Sequence, residues 1–195
     1  MTVSPIVSVE AIALEAPTVD PEDVDGSSET VVVRIVDADG REGIGEADAP
    51  AVAVRELVRM ADVHAWSRGL GVALEGRDPV LIGSIYDDLY EATIYHGRRG
   101  LGIHALSAVD VALHDLAGKQ LGRPAYHLLG GPRRQAITPY ATVYPGAVKG
   151  RTIGELMDAI GASFERALAT GFRAVKMEVI FGDLVSDREL VRCIR

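Results

Sequence analysis

The stretch Ile103–Gly131 constrains this chain more than any other, and from His104 it reads HALSAVDVALHDLAGKQLGRPAYHLLGG. Ala105, Val109, Ala112, Leu113 and Leu116 recur at helical spacing, so one broad stripe must be buried. Ala105, Ser107, Ala108, Ala112, Ala117 and Gly118 are small, which lets a neighbouring element approach this helix closely. The helix is expected to stop near Lys119–Gly122. Pro124 then opens a short second helix, which Gly130 and Gly131 terminate.

Upstream, the pattern is that of strands. Ile6–Leu14 alternates, and Thr30–Val36 is a β-branched run. Asp37–Arg41 forms a hairpin turn with Asp39-Gly40 at its tip, and Glu42–Ala47 returns, giving a three-stranded antiparallel meander. Between the first two strands, Pro17–Ser28 is acidic, rich in turn residues and loop-like. Gly43 and Gly45 resemble part of a phosphate loop, but no helix follows at the right offset and Glu46 repels phosphate. Ala51–Ala61 reads as helix, whereas Asp62–Glu75 is ambiguous. Asp78-Pro79 marks a helix start, with a stripe of Leu81/Ile82, Ile85, Leu89 and Ala92. The glycine-flanked arginines of Gly97–Gly102 suit an anion, but a loop entering a helix accounts for them as well.

After Gly131 the pattern changes. Ile137–Tyr144 is strand-like, Thr152–Thr170 is a helix with a Thr152-x-x-Glu155 capping box and a Gly171 stop, and Phe172–Ile180 is a second strand. Ser186-x-x-Glu189 caps another helix. This strand–helix–strand–helix order predicts a parallel sheet, with two domains, 1–131 and 132–195. Two parallel strands cannot close a barrel, so free sheet edges are expected. The net charge of −8 argues against nucleic acid or an anionic membrane as a partner. No apolar run reaches the roughly 20 residues a membrane span needs. The lone Cys193 excludes an internal disulfide and fits a reducing compartment, so the expected location is the cytoplasm.

The run Ala105-x-Ser107-Ala108-Val109-Asp110-x-Ala112-Leu113-x-Asp115-Leu116-x-Gly118-Lys119, with Pro124 and Leu128-Leu129-Gly130 after it, resembles the first signature of the mandelate racemase/muconate lactonizing branch of the enolase superfamily. The resemblance implies an α+β N-terminal capping domain, a meander plus a helical bundle. The first βα units of an incomplete TIM-like (β/α) barrel follow it. It also implies an acid-sugar dehydratase or epimerase that removes a proton alpha to a carboxylate, with the enolate stabilised by Mg2+. The magnesium ligands of the family lie on the third to fifth barrel strands, beyond Arg195, so this chain alone is expected to be inactive. The implied partners are a small carboxylate substrate and further copies of the chain. An alternative is a non-catalytic binding or assembly module derived from that fold. A βαβ nucleotide-binding domain is a weaker third, because the glycine-rich strand-to-helix turn is missing.

In the family, the second barrel strand carries Lys-x-Lys, whose second lysine abstracts the proton while the first lowers its pKa. Here Lys176 matches the first lysine and Glu178 holds the place of the second. Glu178 is either a carboxylate base or the partner of Lys176 in an ion pair. Lys176, two residues away on the same strand face, lowers the basicity of Glu178 in both cases. By position, Asp20 in the first loop and Thr142 and Tyr144 at the end of the first barrel strand are candidate substrate contacts. Asp110 and His114, one helical turn apart, are the nearest approach to a metal pair, but a hydrogen-bonded pair explains them more simply.

Overall fold

A computed structural model describes residues 3–18, 29–177, 188–189 and 191–192. Met1–Pro17 and Ser27–Arg133 form a first compact unit, and Arg134–Arg195 belong to a second. The first unit opens with β1 (Ile6–Glu15), β2 (Glu29–Asp37) and β3 (Glu42–Ala47), antiparallel and in that spatial order. Alternation sorts the faces: Val31, Val33 and Ile35 are fully buried, while Thr30, Val32, Arg34 and Val36 between them are half-buried. On that outer face Arg34 bridges Glu10 and Glu42 across all three strands.

The β2–β3 turn is held by one buried carboxylate. Asp37 Oδ1 accepts from the backbone N–H of Asp39 (3.0 Å) and of Arg41 (2.8 Å). Its Oδ2 accepts from Arg41 Nη1 (3.1 Å) and Gln120 Nε2 (2.8 Å). Burial on its own pushes this carboxyl up. The hydrogen bonds from Arg41, Gln120 and Asp39 outweigh it and hold the group below its ordinary value.

The helices α1 (Ala51–Arg59), α2 (Leu70–Leu74), α3 (Ile82–Ala92), α4 (Leu101–Leu121) and α5 (Ala125–Leu128) complete the unit. The central helix is α4, which contacts β2 and β3 of the sheet and also the helices α1 and α3. That is why its buried residues, including Leu106, Ala108 and Ala117 besides the expected stripe, spread around more than one face. It ends at Gly122, in the left-handed conformation with φ +63°. Gly43 and Gly45 form no phosphate loop: a Cβ on Gly43 would lie 2.2 Å from the Ala112 carbonyl oxygen, and one on Gly45 would lie 2.0 Å from that of Ala108. The bare strand lets the helix backbone settle onto it. Asp115 then accepts the edge N–H of Ile44 (2.9 Å) and the Lys119 ammonium (2.7 Å), and Lys119 also donates to the Glu42 carbonyl.

One helix start differs from expectation. The Asp78 carboxylate accepts from Val80 N–H (2.9 Å) and its carbonyl from Leu81 N–H (3.1 Å), so it closes a turn and α3 begins only at Ile82. Leu81 is accordingly 56% exposed, outside the buried stripe.

The second unit contains β4 (Ala141–Val143), α6 (Ile153–Ala169) and β5 (Val175–Met177), the two strands pairing in parallel. Thr152 and Glu155 form both halves of the capping box. That bonding, from the Thr152 backbone first and then its hydroxyl, holds the Glu155 carboxyl below its ordinary value. The strand expected over Ile137–Tyr144 is shorter than the pattern suggested. Pro139 offers no N–H to a ladder, β5 is the one strand paired with β4 among the described residues, and Ile137 stands 81% exposed. The last residues of the expected Phe172–Ile180 strand and the cap at Ser186 lie outside the described residues. No helix among those described is long and apolar enough to cross a membrane.

Candidate active site

In the parallel ladder of the second unit Thr142 stands directly opposite Lys176, as Val143 does opposite Met177. Paired residues on neighbouring strands share a face, and the next residue along points the other way. Val143 is buried where β4 meets α6, whose inner stripe is Leu156, Ile160 and Ala167. Thr142 and Lys176 therefore occupy the face turned away from the helix, and both are exposed. The structure thus brings together two of the residues that sequence spacing singled out. Glu178 and Asp20 lie outside the described residues.

Tyr144 is half-buried just past β4. It lines a cleft of about 400 Å3 between β4 and α6, with Gly146, Ser163 and Arg166; Thr142 borders this cleft but Lys176 does not, so the cleft is distinct from the face that Thr142 and Lys176 share. The loop carrying it is braced from one side chain: Arg151 donates to the carbonyls of Pro145 (2.8 Å), Ala147 (3.4 Å) and Glu155 (2.7 Å). Sequence reasoning missed Arg151, because carbonyl acceptors leave no mark in the residue pattern. Arg166, bonded to the Ser163 hydroxyl at 2.8 Å, adds a cationic group to the same cleft. Its only sequence signal is a basic residue in the last turn of a helix, which commonly serves the helix dipole.

In the first unit, a groove of about 510 Å3 runs between α3, α4 and α5 and is lined by Ile82, Tyr86, Asp110, His114 and Leu128. His114 Nδ1 lies 2.9 Å from the Asp110 carbonyl oxygen and 3.3 Å from its carboxylate, so the two form a pair within one helix. Among the described residues no three His, Cys, Asp or Glu side chains converge to hold a metal ion, so they offer magnesium no cradle.

The sequence profile of the mandelate racemase / muconate lactonizing enzyme N-terminal domain matches residues 7–130, nearly the whole first unit. This chain belongs to that family. The L-rhamnonate dehydratase of Saccharopolyspora erythraea is 38% identical over 115 residues, which are 58% of this chain and 27% of that protein. The D-galactarolactone cycloisomerase of Agrobacterium fabrum is 35% identical over 165 residues, 85% of this chain and 40% of that one. A racemase from Streptomyces coelicolor A3(2), solved with bound magnesium, superposes with a TM-score of 0.77 at 30% identity. That match covers 97% of this chain and 51% of the racemase. The chain thus spans about half the length of its mandelate racemase-family relatives, or less. The first unit is the enolase-superfamily capping domain, and β4, α6 and β5 are the first pieces of the family's (β/α) barrel. The relatives it matches include acid-sugar dehydratases and cycloisomerases.

Proposed function

We propose that this chain serves an acid-sugar dehydratase or epimerase, in which a proton leaves the carbon alpha to a carboxylate. The observation that carries the reading is the register that sets Thr142 beside Lys176 on the helix-free face of the parallel strands. Barrel enzymes place their reacting groups at the carboxyl ends of such strands. The Lys176 ammonium supplies positive charge for the substrate carboxylate, the Thr142 and Tyr144 hydroxyls hydrogen-bond its hydroxyls, and Asp20, in the acidic first loop of the sequence, is a further substrate contact. Glu178, in the place of the family's second lysine, takes the proton on a carboxylate oxygen. The neighbouring ammonium makes that carboxylate a weaker base, so more of the driving force must come from stabilising the enolate. The family meets that need with magnesium, whose ligands in the family lie on later barrel strands; on this reading the chain alone is inactive.

A second reading, a non-catalytic binding or assembly module on the same fold, is favoured by one observation: Glu178 replaces the lysine. Proton exchange separates the two. With magnesium and aldonates or aldarates in D2O, the 195-residue chain alone should leave the α-proton signal unchanged by NMR. Joined to the remaining barrel of the Agrobacterium cycloisomerase, it should exchange that proton, and Lys176→Met should slow exchange at least about a hundredfold. Exchange by the isolated chain, or a folded chimera indifferent to Lys176, would contradict the proposal.

A further inference from the structure

The connection between α1 and α2 is a short loop pinched at its neck. Gly69 lies so close to Met60 that an added Cβ would stand 1.6 Å from the Met60 carbonyl oxygen, and the Gly69 N–H donates to the Asp62 carboxylate (3.1 Å). At the tip, the Val63 N–H donates to the Ser67 carbonyl (2.9 Å) and the Ser67 N–H to the His64 carbonyl (2.9 Å). A loop whose ends meet and whose interior is bonded to itself moves as a unit. Its tip is fastened to the turn after α3 by a hydrogen bond between the buried Ser67 hydroxyl and His96 Nε2 (3.3 Å). Beside that contact Trp66 stacks on Tyr95, with ring centroids 6.5 Å apart.

The other ring nitrogen of His96, Nδ1, is shut off from water and has no hydrogen-bond partner among the described residues. A neutral imidazole tolerates one idle nitrogen. A protonated one must donate from both, and here the second N–H finds no acceptor. Burial accordingly holds His96 below its ordinary value. The ionisable groups of the surrounding segments do not reverse this. In the loop Asp62 is paired with Arg68 (3.0 Å), and at the end of α3 Glu91 is paired with Arg98 (3.2 Å), whose guanidinium lies over the Tyr90 ring (4.5 Å). His64 gives its Nδ1 to the Trp66 N–H (3.3 Å) and stands edge-on to Tyr95. The start of α4 meets the same turn where Gly102 packs under the Gly97 carbonyl, and it brings His104, which like Arg99 is exposed. Both carboxylates are thus already matched, and the remaining groups are cations or neutral rings. Released into water, His96 regains its ordinary value near 6.5, so opening takes up a proton. The fastened form keeps its full stability above about pH 6.5 and loses it as pH falls from there toward the lower value of the buried ring.

We propose that the Ser67–His96 contact is an acid-released latch, in which a proton on His96 frees the loop 60–69 from the turn after α3. Hydrogen exchange of the 195-residue chain, corrected for the intrinsic dependence of exchange on pH, reads the opening directly. Between pH 7.5 and 5.5 the protection of residues 62–69 should fall by up to about tenfold, while β2 and α4 keep theirs. That interval lies above the carboxylate range, so the acids stay ionised. His96→Gln keeps a hydrogen-bonding group that does not titrate, and it should make the loop's protection independent of pH. His64→Gln should leave the fall in place. Ser67→Ala, which removes the bond without touching the histidine, should lower the loop's protection severalfold already at pH 7.5. A parent loop as indifferent to pH as that of His96→Gln overturns the proposal, as does a fall shared equally by β2. So does a dependence that His64→Gln abolishes, or a Ser67→Ala loop as well protected as the parent's.

Discussion

Asp37 shows how much of the first unit hangs on single side chains. Its carboxylate takes two backbone donors of the hairpin turn and the amide of Gln120, which also donates to the Ser4 carbonyl (2.7 Å). One group therefore ties the turn, the chain's start and the end of α4 together. Asp37→Ala leaves those buried donors unmatched and should lower unfolding stability by about 2 kcal/mol, read from urea midpoints. Because the native group is held below its ordinary value, its contribution is complete above the unfolded carboxylate range near pH 4. It fades as pH drops through the lower native value. The parent's urea midpoint should fall over that acidic interval, and the variant's should fall less.

Among the elements, β3 and α4 show both what residue order reveals and what it hides. Gly45→Ala would set a methyl 2.0 Å from the Ala108 carbonyl oxygen, so the strand and helix must part, and a loss of about 3 kcal/mol is expected in thermal or urea unfolding. Gly83, inside α3, has nothing within 4 Å of an added Cβ, so Gly83→Ala should raise stability by about 0.5–1 kcal/mol. Both substitutions add one methyl group, and only the distant partner sets the sign. That partner is what the sequence could not display. The hairpin at Asp39-Gly40, the capping box at Thr152 and the Gly122 stop were all legible, because each is settled within a few residues. The role of Gly43 and Gly45 depends on a helix some sixty residues further on. The overlong strand at Ile137 fails for the same reason: alternation marks a residue's preference for a ladder, not the presence of a partner. In the candidate site, Lys176 and Thr142 could be picked from motif and strand position, but their pairing needed the register, and Arg151 needed the carbonyls it binds.

For the molecule as a whole, the two units rest on unequal foundations. The first buries a continuous cluster running from Ile6 through β2 and α1 to Leu116. Among the described residues, the buried apolar side chains of the second are Val143, Pro145, Leu156, Ile160 and Ala167, beside a sheet of two three-residue strands. A two-stranded sheet is at best marginally stable in water. Hydrogen exchange followed by mass spectrometry should therefore show α6 and β4 opening well before α4 and β2. Simultaneous exchange of all four would indicate a single cooperative block.

The carboxylate of Asp115 occupies the Ile44 amide on the outer rim of β3, and the Lys119 ammonium steadies it there. A foreign strand seeking that rim must first evict a charged group that is already satisfied on both sides. The meander is thereby stopped from growing, chain after chain, into a fibril on that side. The same short contact that docks the helix thus also serves as a guard against polymerisation.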